Sequence, residues 1–430
     1  MLSPALDDCF AHAQQLLTHA EAIALLNDRI IPSQTFENVP LAMTVGRRLA
    51  SAIVADCTVP AHTNTAVDGY AFRHADYDQA TGTHFPVSGR ATAGHPLHTA
   101  LAPNVAVRIF TGAVIPTGSD TVVMQEDCTS DDGGVRVPSG LKLGANVRKA
   151  GEDVAHGTTL FEVGHTLRPQ DLAALASIGL GHVTCFSRVR VGIVSTGDEI
   201  LAAGSGKLPH GHVYDANTPL LTALVPLAGA DVAQLGIWPD NAEAIRSKLA
   251  AAAEQFDVIL TSGGASRGDE DHMASALAAL GSHHFWQIVI KPGRPMMFGQ
   301  IKRSNPGAAP CIVVGLPGNP VAVFVCFLMY VFPLLRKLGG GHWREPRRYR
   351  LPANISFKGR KPGRREFWRG MLVDTANGLA VDKFARDGSG LISSLRAADG
   401  LIDIPEGAGD VALGDLVDFI PLAEFGIGAG

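Results

Sequence analysis

The sequence predicts a multidomain α/β protein built around a three-layer, doubly wound and mostly parallel sheet, with smaller β-rich domains on either side. The main observation is a series of short apolar runs between residues 189 and 336, each ending at glycine or proline. Helix-like segments separate these runs, an alternation typical of a parallel sheet covered on both faces. The length of 430 residues is a third observation, because one hydrophobic core rarely exceeds about 250 to 300 residues.

Composition and charge argue against several classes of protein. The net charge is −5 and the basic residues are scattered, which disfavours a nucleic-acid-binding surface. The six cysteines show neither a C-x-x-C pair nor a histidine at zinc spacing, so a reducing, cytoplasmic location is expected. The N-terminus lacks the pattern of a secretory signal, and the longest apolar run, 321–332, is shorter than the ~20 residues of a membrane span.

The N-terminal residues predict helix followed by a linker. Residues 5–31 have apolar side chains at helical spacing, and a second helix is predicted around 45–53. We expect residues 1–55 to form an elongated linking domain together with residues 147–182.

Residues 56–146 predict a small β-rich domain. Asp68 and Gly69 are typical of a tight turn between two strands, and from the residues alone a plain turn is as good an interpretation as a site. Thr111 ends a strand and offers a hydroxyl, although a Thr-Gly strand end is more often only a turn. Asp153 follows in a charged loop that is either a surface ion-pair loop or part of a site.

Residues 183–340 predict the central domain. Strands are expected near residues 189–194, 257–261, 286–290 and 311–315, since each is apolar and ends in turn residues. The helices between them have readable starts, because asparagine is a frequent helix N-cap. The expected caps are Asn217, Asn241 and Asn319.

The loops after these strands predict a binding rim. In such sheets ligands bind outside the carboxyl ends of the strands, where the loops converge. Gly263 with Gly264, and Gly318 after Pro317, allow the backbone to come close to an anion. Lys291 and Arg294 add positive charge. Carboxylates in the same loops would repel a bare phosphate, so the combination predicts a magnesium ion between carboxylates and a polyphosphate. The plainer alternative, that each loop is only a turn, stays open for any single loop.

Residues 341–430 predict a C-terminal β barrel, with a sandwich as the alternative. Arginines cluster around the REFWRG segment, and Ser389 lies in a glycine-rich loop. This cluster either contacts a ligand phosphate or is a solvated strand face.

Four motifs of the rim, in this order, resemble those of a known family. STGDE (195–199), SGGASRGDED (262–271), KPGRP (291–295) and LPGNP (316–320) are similar to the molybdopterin-binding domain of molybdopterin molybdenumtransferases, called MoeA in bacteria and the gephyrin E domain in animals. Upstream, TNTAVDGYAF and RIFTGAVIPTGSDTVVMQED extend the resemblance, which covers residues 32–422. It implies that residues 183–340 adopt the molybdopterin-binding fold.

The resemblance also implies a set of site residues, carried over motif by motif. The catalytic residues it implies are Asp68, Thr111, Asp153, Glu199, Asp240, Asp271, Lys291, Arg369 and Ser389. The ligand-binding residues expected in the rim are Thr196, Gly197, Ser262, Gly263, Gly264, Ser266, Gly268, Arg294, Pro317, Gly318 and Pro320. Asp240 and Asp271 are the expected metal ligands.

By resemblance, the protein is expected to insert molybdenum into adenylylated molybdopterin, using molybdate and magnesium and releasing AMP. The family is homodimeric, with the site between subunits. Handover contacts with the adenylyltransferase and with proteins that mature molybdoenzymes are expected partners; nucleic acid and membrane are not. Two alternatives are the preceding adenylylation of molybdopterin, and a non-catalytic molybdopterin carrier or scaffold.

One position departs from the family pattern. Many members place a second lysine shortly before the lysine of KPG, whereas this chain has Gln287. Glutamine keeps a donor and loses the charge, so weaker oxyanion binding is expected there. A specialised paralogue is therefore an alternative to a housekeeping enzyme.

Overall fold

The structure, a computed structural model, describes residues 16–263, 272–293 and 295–428. Five of the predicted site residues lie outside the described residues: Gly264, Ser266, Gly268, Asp271 and Arg294.

The described chain begins with a short strand and one helix. The helix predicted over residues 5–31 is therefore confirmed for residues 19–29 and wrong for residues 16–17, which form a strand. Strand β1 (Leu16–Leu17) precedes helix α1 (His19–Arg29). Thr18 and Glu21 form a reciprocal capping box that starts this helix. Strands β2 (Phe36–Pro40) and β3 (Ile53–Val54) follow. The helix predicted around 45–53 is also wrong, because turns and isolated bridges occupy that segment.

The small β-rich domain contains two short sheets. Its strands are β4 (Asn64–Thr65), β5 (Gly69–Phe72), β6 (Thr83–Phe85), β7 (Val87–Ala91), β8 (Ala106–Ile109), β9 (Thr121–Met124), β10 (Thr129–Asp131) and β11 (Gly134–Val137). One sheet has the order β7-β8-β5-β9 and the other the order β10-β11-β6. Asp68 and Gly69 do not form a hairpin turn, because β5 pairs with β8 and β9 whereas β4 belongs to a different sheet. Gly69 is required by packing, since a Cβ there would lie 1.8 Å from the Val123 carbonyl oxygen.

Residues 147–186 run antiparallel to the N-terminal segment and pack against it. They form β12 (Val147–Arg148), β13 (Thr159–Phe161), helix α2 (Pro169–Ser177) and β14 (His182–Phe186). These strands pair antiparallel with β4, β3 and β2 respectively. Leu49, Leu167 and Leu175 lie in the core that the two segments share.

The central domain contains a seven-stranded mixed sheet. Its elements are β15 (Arg190–Thr196), β16 (Ile200–Leu201), β17 (Val213–Tyr214), α3 (Asn217–Leu224), β18 (Asp231–Trp238), α4 (Ala242–Gln255), β19 (Val258–Ser262), α5 (His272–Leu280), β20 (Gly281–Ile288), β21 (Ile290–Lys291), β22 (Pro295–Ile301), β23 (Cys311–Leu316), α6 (Pro320–Cys326) and α7 (Phe332–Leu338). The sheet order is β1-β20-β22-β23-β19-β15-β18. Strand β22 is antiparallel to both neighbours, and the other pairs are parallel.

Helices pack on both faces of this sheet. Leu221 of α3 and Val323 of α6 share one core with Val191 of β15, whereas Leu249 of α4 and Met273 of α5 lie in a second core. The prediction of a multidomain α/β chain is confirmed.

The helical segment Pro320–Leu338 is longer than the apolar run 321–332, because it continues past Pro333. A π-helical turn at Phe327–Val331 lies between α6 and α7, and Pro333 is in the first turn of α7. Proline lacks an N–H and its ring crowds the preceding turn, so a local change in the helical ladder accommodates it. By length and composition alone this segment is long enough to cross a membrane, but 83% of its most apolar window is buried inside the protein.

The C-terminal domain is a six-stranded sheet. Its elements are β24 (Tyr349–Pro352), β25 (Arg365–Thr375), β26 (Gly378–Lys383), α8 (Ile392–Ala397), β27 (Gly400–Ile404) and β28 (Leu416–Pro421). The strand order is β21-β25-β27-β28-β24, and β26 pairs with β25. A single bridge between Ala353 and Val381 links the end of β24 to β26. Since one bridge is not a ladder, the described residues contain no closed barrel, and the predicted barrel is not confirmed.

Candidate active site

A cleft of about 990 Å³ lies between the central domain and the C-terminal domain. The central domain contributes the loops after β19 and β23 together with the segment around β21, and the C-terminal domain contributes β25 and two loops. Six predicted site residues line it: Gly263, Lys291, Pro317, Gly318, Arg369 and Ser389. The structure therefore brings together residues that are separated by more than a hundred positions in the sequence.

Strand pairing between the two domains determines the position of Lys291. Strand β21 runs parallel to β25, with Lys291 opposite Glu366. The Lys291 Nζ lies 3.6 Å from a Glu366 carboxylate oxygen and 3.9 Å from Asp387. Burial favours the neutral form of Glu366, but the hydrogen bond from Trp368 and the charges of Lys291 and Arg364 outweigh it, and the pKa of Glu366 is lowered.

The start of α6 supports the opposite wall of the cleft. Pro320 is at the first helical position, where its missing N–H costs nothing, and Asn319 precedes it as predicted, although its side chain makes no capping bond. The Val321 N–H donates to the Ser389 carbonyl oxygen at 3.0 Å, which ties the C-terminal loop to this helix.

The cleft is rich in positive charge. Arg369 on β25 is 6% exposed, and its Nε donates to the Ser394 hydroxyl at 3.1 Å. Burial lowers the pKa of Arg369. Arginine is nevertheless a cation at neutral pH. Lys361 and Arg364 also line the cleft. This arrangement suits an anion.

A second group of predicted residues lies at the ends of β15, β18 and β19. Gly263 lies close to Thr196, since a Cβ on it would come within 2.9 Å of the Thr196 carbonyl oxygen. The Glu199 carboxylate lies over Gly197, where a Cβ would come within 2.5 Å of it. The Asp240 N–H donates to the Asp198 carboxylate at 3.1 Å, which joins neighbouring strand ends.

Asn217 is a structural residue of the rim that sequence reasoning missed. We predicted it as a helix cap, but the carboxylate of Asp215 caps α3 by accepting from the backbone N–H groups of Asn217 and Thr218. The Asn217 side chain instead donates to the Ser262 hydroxyl and the Gly318 carbonyl oxygen, both at 2.7 Å. It thus links the loops after β19 and β23. By contrast, the predicted cap Asn241 does accept from Ala244 N–H.

Three predicted residues lie in other domains and do not line this cleft. The backbone N–H and hydroxyl of Thr111 both donate to one Asp68 carboxylate oxygen, at 2.8 and 2.7 Å. These hydrogen bonds lower the pKa of Asp68. Asp153 is exposed, and its N–H donates to the Val59 carbonyl oxygen. Sequence reasoning named Asp68 and Thr111 separately and did not predict the hydrogen bonds between them.

The carboxylates of the rim are the ligand type that magnesium prefers. Asp198, Glu199 and Asp240 offer exposed oxygen donors at adjacent strand ends. Across residues 16–263, 272–293 and 295–428, no three His, Cys, Asp or Glu side chains form a group that would hold a metal by themselves. Magnesium commonly takes one or two protein carboxylates and completes its coordination with substrate phosphates, so this donor set fits the ion.

Asp387, Lys361 and Arg364 line the cleft and were absent from the predicted site. The basic character of the REFWRG region was visible in the sequence, but no signal in the sequence connected Asp387 to Lys291.

Family models match three consecutive parts of the chain. The MoeA N-terminal region (domains I and II) matches residues 17–179, a probable molybdopterin binding domain matches 192–337, and the MoeA C-terminal region (domain IV) matches 351–422. A molybdopterin molybdenumtransferase of Haemophilus influenzae is 35% identical over 400 residues, covering 92% of this chain and 96% of that protein. The chain belongs to the molybdopterin molybdenumtransferase family.

Other members of the molybdopterin molybdenumtransferase family agree in sequence and in fold. Molybdopterin molybdenumtransferase 2 of Mycobacterium tuberculosis is 33% identical over 386 residues, covering 87% of this chain and 92% of that protein. The crystal structure of the molybdopterin biosynthesis MoeA protein from Pyrococcus horikoshii OT3 matches with a TM-score of 0.81 at 29% identity, covering 95% of this chain and 100% of that one. The family assignment drawn from the motifs is confirmed, and the chain is an enzyme of molybdenum cofactor biosynthesis.

Proposed function

We propose that this chain transfers molybdenum from molybdate to adenylylated molybdopterin and releases AMP in a magnesium-dependent step. The observation that supports the proposal most is the cationic cleft between the central and C-terminal domains, which contains Lys291, Arg369 and Ser389 beside glycine-containing strand ends. A site for a doubly charged oxyanion needs this combination of cations, hydroxyl and close backbone.

In this proposal the cleft residues act by binding and orientation. Lys291 and Arg369 attract molybdate and hold it against the Ser389 loop. The loops around Gly263 and Gly318 admit the substrate phosphates, and Asn217 keeps these two loops at a constant separation. In the proposed reaction molybdenum gains bonds to the two dithiolene sulfurs and loses an oxo ligand as water, while a water molecule cleaves the phosphoanhydride bond to AMP. Positioning of the substrates and neutralisation of their charge are the contributions asked of the cleft, and no covalent enzyme intermediate is needed.

Asp240 would hold magnesium together with Asp271, which lies outside the described residues. Bound magnesium supplies positive charge that polarises the pyrophosphate toward release of AMP. The Asp240 N–H bond to Asp198 orients this loop toward the same rim as Gly263.

We further propose that the protein acts as a homodimer. Asp68, Thr111 and Asp153 lie in domains that do not line the cleft of their own chain, so a second subunit would present them to it. The experiment is to mix D68N and K291Q subunits in a verified heterodimer. One of its two clefts then has both wild-type residues if they come from different chains, and partial recovery of AMP release is expected. Absence of recovery contradicts the shared site.

The proposed location is the cytoplasm. All five described cysteines, Cys57, Cys128, Cys185, Cys311 and Cys326, are free thiols, which supports a reducing compartment.

The direct test of the function is AMP release from adenylylated molybdopterin, measured with molybdate and magnesium present or omitted. We expect K291Q to lose about 10²-fold or more of the rate, because a charge that contacts the reacting anion is removed. K358Q is the matched control, since Lys358 is an exposed lysine of the C-terminal domain and does not line the cleft. Molybdate-independent release, or equal loss in K358Q, would refute the proposal; pterin binding without release would indicate a carrier.

A further inference from the structure

Asp387 is a carboxylate inside a cleft that is otherwise suited to anions. It lies in the loop between β26 and α8 and lines the cleft next to Ser389. Its carboxylate is 2.6 Å from the Lys383 Nζ and 3.9 Å from the Lys291 Nζ. Asp387 therefore lies beside the lysine ammonium groups that an oxyanion in the cleft would contact.

Lys383 holds Asp387 in this place. The Lys383 side chain is 9% exposed, and its ammonium group lies 5.2 Å from the ring centre of Phe357 and 5.5 Å from that of Trp368. Packing against the two rings restricts the position of the Lys383 ammonium group. This ammonium group therefore holds the Asp387 carboxylate at a defined place in the cleft.

The other carboxylate near Lys291 has a different role. Glu366 is 4% exposed on its side chain, accepts from the Trp368 indole N–H at 2.9 Å, and pairs with Arg364 at 3.3 Å. Its charge is compensated within the protein, and removing it would leave arginines unpaired. Asp387, by contrast, is 41% exposed on its side chain and faces the open cleft.

We propose that Asp387 is an internal counter-ion that competes with the oxyanion substrate for Lys291 and thereby limits the affinity of the cleft. This inference rests on the proposed function of the same cleft and adds a residue that sets how tightly the anion is held. Weak retention is useful in a site from which the anion must pass to a second substrate, because very tight ground-state binding would slow transfer.

The distances favour a role in which Asp387 competes with the anion for Lys291 over one in which Asp387 holds Lys291 in place. At 3.9 Å the pair with Lys291 is long, whereas the bond to Lys383 is short, so Asp387 keeps its main partner when Lys291 turns to an anion. Partial burial would raise the pKa of Asp387, but the Lys383 hydrogen bond and the cations around it outweigh this effect and lower the pKa, so its negative charge is present at neutral pH.

The test compares oxyanion binding by the wild-type protein and D387N. Isothermal titration is done with molybdate and, separately, with inorganic phosphate, because both are tetrahedral anions that this chemistry would accept. Removing one negative charge about 4 Å from the binding ammonium group should tighten binding about five- to tenfold. D374N is the matched control, because Asp374 is exposed on β25 of the same sheet and does not line the cleft.

The outcomes separate this inference from the proposed function. Tighter molybdate binding by D387N, with D374N equal to wild type and K291Q weakened, supports the inference. A gain for phosphate alone overturns competition with molybdate and assigns Asp387 to the substrate phosphate. Unchanged or weaker binding by D387N, while K291Q still weakens it, overturns the inference and leaves the function intact. Binding that K291Q does not alter would overturn both.

Discussion

The substitution Gly293→Ala tests whether the loop that follows Lys291 must lie against α6. Gly293 has a φ of +105°, in a region that L-residues rarely adopt. A Cβ at this position would lie 2.3 Å from the Cys326 Sγ, and Cys326 is fully buried in α6. The backbone at 293 must therefore move away from the helix when alanine is introduced.

The size of the effect follows from these distances. The new Cβ has to retreat about 1 Å to reach ordinary van der Waals contact, and alanine at this φ adds roughly 1–3 kcal/mol of strain. Lys291 is two residues away and contacts Glu366 at 3.6 Å and Asp387 at 3.9 Å, so a shift of this size breaks its alignment. We expect about a 10²-fold loss in AMP release, the usual result of a 1 Å misplacement.

The assay is AMP release together with molybdate affinity, measured for G293A, C326A and the double variant. Removing the Cys326 sulfur relieves the clash but not the backbone strain, so the double variant should recover part of the loss. Near-wild-type activity of G293A, or no recovery in the double variant, would show that this packing does not position Lys291.

Two further predictions concern stability. Asp403 is fully buried on its side chain and accepts from Arg365 at 2.6 and 2.8 Å and from Arg348 at 2.8 Å, so D403N should cost about 3–5 kcal/mol in urea unfolding, against little change for D374N. Burial, helped by the charge of Arg365, lowers the pKa of His19 to about 4, and its Nδ1 lies 2.9 Å from the Tyr330 hydroxyl. Since the unfolded chain binds this proton near pH 6.5 and the native chain only near 4, stability should fall by about 3 kcal/mol as pH drops through that window. H19Q should lack this component when unfolding is measured from pH 7 to 4, and an unchanged pH slope would contradict the assignment.

Local sequence patterns were enough for much of the central domain. The apolar runs that end in glycine or proline became β15, β19 and β23, and Asn241 caps α4 as predicted. These elements depend on side-chain periodicity and on turn chemistry, which are properties of neighbouring residues. The rim motifs also pointed to the family and to four residues that line the cleft, Gly263, Lys291, Pro317 and Gly318. Arg369 and Ser389 were carried over from the C-terminal part of the resemblance.

Local sequence patterns gave wrong predictions where contacts with distant segments determine the structure. Strands β4 and β5 on either side of Asp68 do not form a hairpin, because β5 pairs with β8 and β9. The helical segment that contains the apolar run 321–332 continues past Pro333 through a π-helical turn inside the core. The predicted barrel is not confirmed, since a single bridge between Ala353 and Val381 replaces a closing ladder. Tertiary packing overrides propensity at each of these places.

The sequence by itself determined the family, the strand ends of the central sheet and the residue types of an anion site. Only the tertiary structure decided which of those residues meet. The parallel pairing of β21 with β25 sets Glu366 beside Lys291, and the loop after β26 adds Asp387 to the same cleft. Strands β21 and β25 are some 75 residues apart, and their pairing cannot be read from the side-chain periodicity of either strand. Each strand needs only unpaired backbone N–H and C=O groups and a side-chain pattern that matches the face it buries.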